Sequence, residues 1–306
     1  MPLTKISAMA RYWFEVARDA VRLWIDANAF SYAGSLAFYT LFSLAPVVII
    51  AVGVIGIVLG EEAAQGQIFG QLEAVMGPSA AATVEQAVAN SRPEAAGLLP
   101  TLLGFGALIA GATTVFAQMQ YSLNTIWGVT AKPTRNSIFI LIKNRVLSLT
   151  VVLAIGFVLL VSLLAGVVLR AALHFADDFM PALAALLSGG EMIISLVMIA
   201  LLFGCIFKIL PDVVLTWRDV LAGAVATAVL FSIGRYGIAT YLAYTATAST
   251  YGAAGSVVLI LLWVYYSSLI LLFGAAFTKA RLLKRGQEVV PRETAVLLRR
   301  ELVLDS

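Results

Sequence analysis

Arg235 is the residue whose type and position point most directly to chemistry. It lies inside an apolar run over residues 217–241. A charged side chain at the centre of a membrane-spanning helix costs about 2.5–3.5 kcal/mol on insertion scales, so it needs a compensating partner or role. We expect Arg235 to bind an anionic group or to gate a cavity. The alternatives are that its side chain snorkels to the outer interface or pairs with a carboxylate such as Glu61.

Hydroxyl groups form a second pattern in an earlier apolar run. Ser35, Tyr39 and Ser43 recur every four residues, which places them on one face of a helix. Pro46 follows in the same run, removes a backbone donor and is expected to kink the helix. The stripe either lines a pathway through the kinked helix, or its hydroxyls only bond backbone carbonyls and hold helices together.

An aromatic and hydroxyl cluster lies in the last apolar run, residues 251–277, which carries no charged residue. We expect this cluster to line a path or to pack against other helices, because a helix that only dissolves in lipid needs no such polar groups. An aromatic belt is the alternative, but Trp263 lies well inside the run. The members are Trp263, Tyr265, Tyr266 and Ser268.

Amide side chains form the last candidate group. Gln118 and Asn124 lie where another apolar run, near residues 98–119, gives way to polar sequence. We include both in the predicted substrate pathway. The alternative is that they cap a helix or bond to a neighbouring one.

Catalytic and metal chemistry are not indicated by the sequence. His174 is the single histidine and Cys205 the single cysteine, whereas metal sites need three or more converging ligands. Carboxylates such as Asp212 and Asp219 are scattered, with no spaced pair for general acid–base work. No phosphate-binding loop is present. We therefore predict no enzyme activity, no metal and no cofactor.

The elements that position these residues are long apolar helices. Hydrophobic residues make up 61% of the chain and charged residues 12%, against about 45–50% and ~25% in average soluble domains. Because the apolar residues come in uninterrupted runs, we predict an all-α polytopic membrane protein, a six-helix transmembrane bundle with amphipathic interfacial helices. The predicted spans cover about residues 35–59, 98–119, 146–169, 192–210, 217–241 and 254–277.

Three regions follow from this pattern. Residues 1–34 are expected to form an amphipathic segment in the membrane interface, because apolar and charged residues alternate there at helical intervals. Residues 35–280 form the six-helix domain, with two short amphipathic helices expected between residues 61 and 93. Residues 281–306 form a basic tail that we expect to be helical and soluble.

Charge sorting predicts the orientation. With six spans, all but three of the 20 Lys and Arg residues lie on the side of both termini. The positive-inside rule then places both termini in the cytoplasm. Anionic membrane lipids explain this basic face, and no RNA-binding module is recognisable, so we predict lipid partners and no nucleic acid. Small residues in the second span suit packing within the chain or between copies, which leaves a homo-oligomer open.

Several motifs carry a family resemblance between about residues 29 and 279. SLAFYTLFSLAP at residues 35–46, LNTIWGV at 123–129, and YGAAGS at 251–256 with LWVYYSS at 262–268 resemble the YihY/BrkB family of bacterial inner-membrane proteins. The resemblance implies six transmembrane helices, and an old ribonuclease label for the family is generally regarded as mistaken. Arg235 fits a basic position usual in the family, whereas Ala276 stands where the family often has Glu.

Together these features predict a transporter, or a lipid or solute translocator, in the bacterial inner membrane. We expect a cavity between spans 1, 5 and 6, holding an unknown small solute or lipid. The alternative is a non-transporting scaffold of an envelope complex, which the sequence does not exclude. A ribonuclease is disfavoured because the cytoplasmic acids lack a histidine or a carboxylate partner.

Overall fold

A computed structural model describes residues 2–76, 78–90, 98–132, 181–245 and 252–298. The chain in these ranges is mainly helical, with two short strands. The helices are α1 (Pro2–Asp26), α2 (Ala29–Leu59), α3 (Glu61–Met76), α4 (Pro78–Asn90), α5 (Leu98–Trp127), α6 (Pro181–Ile209), α7 (Trp217–Thr245) and α8 (Gly252–Lys284), and the strands are β1 (Val129–Ala131) and β2 (Ala295–Leu297).

Three helical segments in the described residues are long and apolar enough to cross a membrane. They are Ala29–Ile57 in α2, Trp217–Arg235 in α7 and Val257–Lys284 in α8, and α6 carries a shorter apolar segment, Ser195–Ile209. Helix α5 covers the expected second span. The expected third span, residues 146–169, lies outside the described residues, so the count of six is not confirmed.

Helix α1 is the amphipathic helix expected at the N-terminus. Its apolar face buries Val16 and Ala20 against Phe277 and Ala280 of α8. At its polar face, Glu15 Oε2 accepts a hydrogen bond from Lys284 Nζ at 2.5 Å. This bond, together with a 3.1 Å bond from Arg11, holds the pKa of Glu15 below the 4.5 of an isolated glutamate. Helix α1 is therefore anchored along the C-terminal half of α8.

The short helices α3 and α4 are the two amphipathic helices expected between residues 61 and 93. They fold back on α2 and α8 and bury one apolar face there, because each has only a single stripe of apolar residues to cover. The cluster so formed contains Val48, Val52, Ile55, Ala64, Val84, Val88, Ile260 and Trp263.

Glycines allow close approach at two helix contacts. Pro46 of α2 packs on α5 so that its Cγ lies 3.0 Å from the place where a Cβ at Gly111 would be. Between α7 and α8 the contact is reciprocal, because Thr278 Oγ1 fills the Cβ space of Gly223 while Thr227 Oγ1 fills that of Gly274. Each threonine hydroxyl also donates to the glycine carbonyl one turn earlier in its own helix.

The C-terminal tail differs from expectation. Helix α8 ends at Lys284, Gly286 follows with a φ of 73°, and the chain then runs extended instead of helical as far as residue 298. Strand β2 pairs antiparallel with β1, with Val129 opposite Leu297 and Ala131 opposite Ala295. The helical tail was therefore a wrong prediction, and the all-α description needs this small sheet added.

Candidate functional site

The last two turns of α5 carry two amides that meet a carboxylate from a distant part of the chain. Gln120 and Asn124 are four residues apart and share a face of the helix. Asp212 follows α6, and Asn124 Nδ2 donates to its Oδ2 at 2.8 Å. In return the backbone N–H of Asp212 donates to Asn124 Oδ1 at 2.8 Å. Both polar functions of the Asn124 amide are thus used to fix the Asp212 loop on α5.

Gln120 adds a weaker contact to the same carboxylate. Its Nε2 lies 3.3 Å from both Asp212 oxygens. Gln120 and Asn124 are each 7% exposed, and Asp212 is half-buried. Buried polar groups are stable only when they are hydrogen-bonded, so this pairing accounts for two amides in a largely apolar bundle.

Lys279 closes the end of α5. Its Nζ donates to the carbonyl oxygen of Ile126 at 2.9 Å, which satisfies one of the carbonyls left unpaired at a helix C-terminus. Gly128 then turns the chain into β1 with a φ of 72°, and Lys279 Nζ lies 3.6 Å from where a Cβ at Gly128 would be. The backbone conformation at residue 128 therefore favours glycine, because a side chain is strained at this φ, whereas Lys279 is at an ordinary contact distance.

These groups border a cavity of about 630 Å³. Its size falls in the range of about 300–1,000 Å³ typical of ligand sites. The walls come from the end of α1, the end of α5, the Asp212 loop, α8, strand β1 and Leu298, the residue after β2. The lining side chains include Leu23 and Asp26 of α1, Gln120, Tyr121, Asn124 and Thr125 of α5, Thr130, Asp212, Lys279 and Leu298.

The C-terminal tail holds one wall of this cavity in place. Arg292 donates from its backbone N–H to the Asp212 carbonyl at 2.9 Å and from its guanidinium to the Lys208 carbonyl at 3.0 Å. Leu298 N–H donates to the Gly128 carbonyl at 2.8 Å. The tail thus joins the Asp212 loop to the strand that follows α5.

Among the predicted pathway residues, Asn124 lines this cavity. Gln118 is half-buried on the same helix but is not part of the lining, a place that Gln120 takes instead. Sequence reasoning did not select Gln120, Asp212 or Lys279 as site residues. Two signals were available in the sequence. One was the polar sequence at the end of the second apolar run, and the other was the Pro211-Asp212 pair after the fourth.

The hydroxyl stripe of α2 makes the contacts of the alternative interpretation, in which the hydroxyls bond backbone carbonyls. Ser43 Oγ donates to the Tyr39 carbonyl at 2.7 Å, and Ser35 Oγ donates to the Ser31 carbonyl at 3.1 Å. Ser43 is buried, whereas Tyr39 is partly exposed on the helix surface. Pro46 lies against Gly111 of α5. These contacts hold α2 in place and do not by themselves mark a pathway.

The aromatic cluster of α8 is mostly packed. Trp263 is buried, and its ring lies edge-on to Phe231 of α7 with centroids 5.7 Å apart. The Tyr266 hydroxyl occupies the Cβ space of Gly234, directly before the half-buried Arg235. Tyr265 packs against the main core, and Ser268 is buried.

The observed cavity differs in place from the expected one. We expected it between spans 1, 5 and 6, which are α2, α7 and α8, but the cavity found lies between the ends of α1, α5 and α8. At α2, α7 and α8, Trp263 and Phe231 pack into apolar clusters. Ala276 is fully buried in the main core, so no carboxylate lies at that point of α8. No group of three or more metal-binding side chains occurs within the described ranges.

Comparison with known proteins gives one family. The model of the family described as virulence factor BrkB matches residues 20–295. A UPF0761 membrane protein of Stenotrophomonas maltophilia (strain K279a) is 28% identical over 90% of this chain, and one of Chromobacterium violaceum is 29% identical over 88%. The chain spans only 65% and 62% of these two relatives. No solved structure matches the chain.

A shorter relative is covered more completely. A UPF0761 membrane protein of Pseudoalteromonas translucida (strain TAC 125) is 26% identical over 87% of this chain and 84% of its own length. The similarity therefore extends over most of the described helices, including those that border the cavity.

Proposed function

This chain belongs to the BrkB family of membrane proteins, and from that premise we propose that it moves a lipid or a small solute across the bacterial inner membrane. The observation that carries the proposal is the cavity of about 630 Å³, whose wall holds two buried amides, the half-buried Asp212 and the exposed Asp26. The two amides are used to hold Asp212, so the capacity for a polar ligand lies in the lone pairs of the Asp212 carboxylate that the amides leave unused.

In this proposal the cavity opens on the cytoplasmic side. Helix α1, the C-terminal tail and Lys279 all lie at its border, and these are the regions that charge sorting assigns to the cytoplasm. Helix α1 exposes Phe14 and Ile25 on its outer face, which suits a helix lying in the membrane interface. A lipid headgroup or a solute would therefore enter between α1 and the end of α5.

Arg235 is the proposed second site on the path. It is half-buried within the candidate span Trp217–Arg235. A guanidinium at this depth suits an anionic group such as a phosphate, since Arg binds it with two parallel hydrogen bonds. Asp212 at the cavity and Arg235 along α7 would then contact the same substrate at successive points.

Neither catalysis nor nucleic-acid binding enters the proposal. The Asp212 carboxylate is bonded by the neutral amides of Gln120 and Asn124, and no histidine is among the described residues that line the cavity. The basic tail residue Arg292 bonds backbone carbonyls. Membrane lipids remain the proposed partners.

The proposal is tested with purified protein in liposomes. Movement of fluorescent headgroup-labelled lipids and of small charged solutes is compared with protein-free liposomes. We expect faster movement with the wild type, a clear loss in Arg235→Ala and partial recovery in Arg235→Lys. Wild-type liposomes that move nothing would favour the scaffold instead, and an Arg235→Ala variant as fast as the wild type would remove Arg235 from the path.

A further inference from the structure

The cavity wall offers hydrogen-bond acceptors more than donors. The carboxylates of Asp26 and Asp212 both line it. Lys279 is the one basic residue among the described lining residues, and its ammonium already donates to the Ile126 carbonyl. The cavity thus carries more negative than positive charge, although the sequence around it is basic.

Gln120 adds an acceptor that lacks a donor. Its Nε2 faces Asp212, and this orientation is fixed because an ionised carboxylate only accepts hydrogen bonds. The amide oxygen, Oε1, therefore points away from Asp212; no hydrogen bond from a described residue reaches it, and it is not sealed from solvent. Gln120 is 7% exposed, so this acceptor lies in a largely buried residue that lines the cavity. An N–H group from a ligand would satisfy it.

We propose that the cavity binds an ammonium group, either of a free amine or of an amine-bearing lipid headgroup, with Asp212 as counter-ion and Gln120 Oε1 as a second acceptor. An ammonium has three N–H donors and a positive charge, so it matches both groups at once. This inference rests on the proposed function in one respect, namely that the amine would be the transported substrate. Binding of the amine itself requires no translocation.

A bare metal ion fits this cavity poorly. A volume of about 630 Å³ is many times the roughly 30 Å³ share of one water molecule, so an ion would leave most of it filled with solvent. An organic ammonium instead places its apolar part against lining residues such as Leu23 and Leu298.

Binding of ethanolamine to the purified full chain in detergent tests the site by titration calorimetry. Ethylene glycol, which has the same size and no charge, is the matched ligand control. We expect ethanolamine to bind and ethylene glycol not to bind. Asp212→Asn should weaken ethanolamine binding about tenfold or more, which is the usual effect of losing a charged hydrogen bond. Asp19→Asn, on α1 but outside this cavity, should bind as the wild type does.

Two more variants keep the test decisive if Asp212→Asn does not fold. Asp26→Asn changes an exposed residue at the cavity, and Gln120→Met removes the amide at similar length. Both should weaken ethanolamine binding relative to Asp19→Asn. Equal affinity for ethanolamine and ethylene glycol, equal affinity in all variants, or binding of Mg²⁺ in place of ethanolamine would overturn the proposal.

Nanodiscs distinguish the source of the ammonium group. Discs of phosphatidylethanolamine should compete with free ethanolamine if the headgroup is the ligand, and discs of phosphatidylglycerol should not; equal ethanolamine affinity in both discs points to a free amine. Binding without translocation in liposomes would refute the proposed function and keep the ammonium site. Translocation without a preference for the amine would refute the ammonium site and keep the proposed function.

Discussion

Helices α7 and α8 pack through glycine and threonine with no space between them, whereas the ends of α1, α5 and α8 leave a cavity of about 630 Å³. Both regions use α8. In the first, threonine hydroxyls bond their own helix and fill the space of the facing glycine. In the second, amides reach across to a carboxylate of another segment. One helix therefore serves as a rigid support over one stretch and as a cavity wall over another.

The difference shows how polar groups are used in an apolar bundle. Thr227 and Thr278 have used their one donor on their own backbone and are fully buried, so a ligand does not reach them and their contribution is close packing. The Asp212 carboxylate keeps further lone pairs that the two amides do not use. We expect ligand binding where polar groups keep unused hydrogen-bonding capacity, and a structural role where that capacity is used within the protein.

The largest effect is expected from filling the tight contact. In Gly223→Ala the new Cβ meets Thr278 Oγ1 and lies 2.9 Å from the Gly274 carbonyl oxygen, a backbone atom that cannot move aside. Overpacking of this kind costs up to about 3 kcal/mol. Thermal unfolding in detergent measures it against Gly237→Ala, a site on the same helix with nothing within 4 Å. Equal stability of the two variants would show that the contact is not tight.

The next effect concerns the polar side of the comparison. Asn124→Leu removes two hydrogen bonds and leaves the Asp212 backbone N–H without its acceptor, which costs about 1–3 kcal/mol. The thermal stability of the protein and the rate of substrate movement in liposomes should both be lower than in the wild type. Gln118→Leu, on the same helix but outside the cavity lining, is the control. A harmless Asn124→Leu would mean that the Asp212 loop is held by the tail alone.

A smaller effect is expected at the tail. Leu298→Pro removes the N–H that donates to the Gly128 carbonyl, a loss of about 1 kcal/mol. Hydrogen exchange of the amides in Val129–Ala131 should become faster than in the wild type. Leu298→Ala keeps the N–H and should exchange slowly. If both variants exchange alike, the strand pair does not depend on that bond.

The smallest effect is the pH response of α1. The lowered pKa of Glu15 means that its contact with Lys284 is complete above pH 4.5 and is lost as the pH falls through the folded-state pKa. The protection of the α1 amides, expressed relative to the intrinsic exchange rate at each pH, should therefore fall on acidification in the wild type. Glu15→Gln should show fast exchange already at neutral pH, and Glu288→Gln, an exposed residue of the tail, should follow the wild type. If the protection of the α1 amides does not change with pH, the contact between Glu15 and Lys284 does not stabilise α1.

Helix positions were predictable because they depend on local composition. The apolar runs at α2, α7 and α8 and the amphipathic pattern of α1 follow from residue type and spacing alone. The helix ends were less predictable than the helix positions. Helix α2 begins at Ala29, before the expected residue 35, and α8 continues to Lys284, beyond the expected residue 277. Lipid-crossing length does not determine where a helix stops in water.

The tail and the cavity depended on contacts that no local pattern contains. Gly286 and the pair Val289-Val290 were signals for a helix end followed by extended chain, but the partner strand β1 lies far away in sequence. Likewise Asn124 was selected for its polarity, while its partner Asp212 became visible only in the fold. The spacing of four residues already groups Gln120, and not Gln118, with Asn124 on one helix face, but only the fold shows that this face meets Asp212.

The rate of substrate movement in liposomes tests the central claim that the polar cavity is the working site. Three proteins are compared side by side: the wild type, Asp212→Asn and Asp19→Asn. We expect Asp19→Asn to keep the wild-type rate and Asp212→Asn to lose about tenfold or more. The same rate in all three proteins, above that of protein-free liposomes, would contradict it.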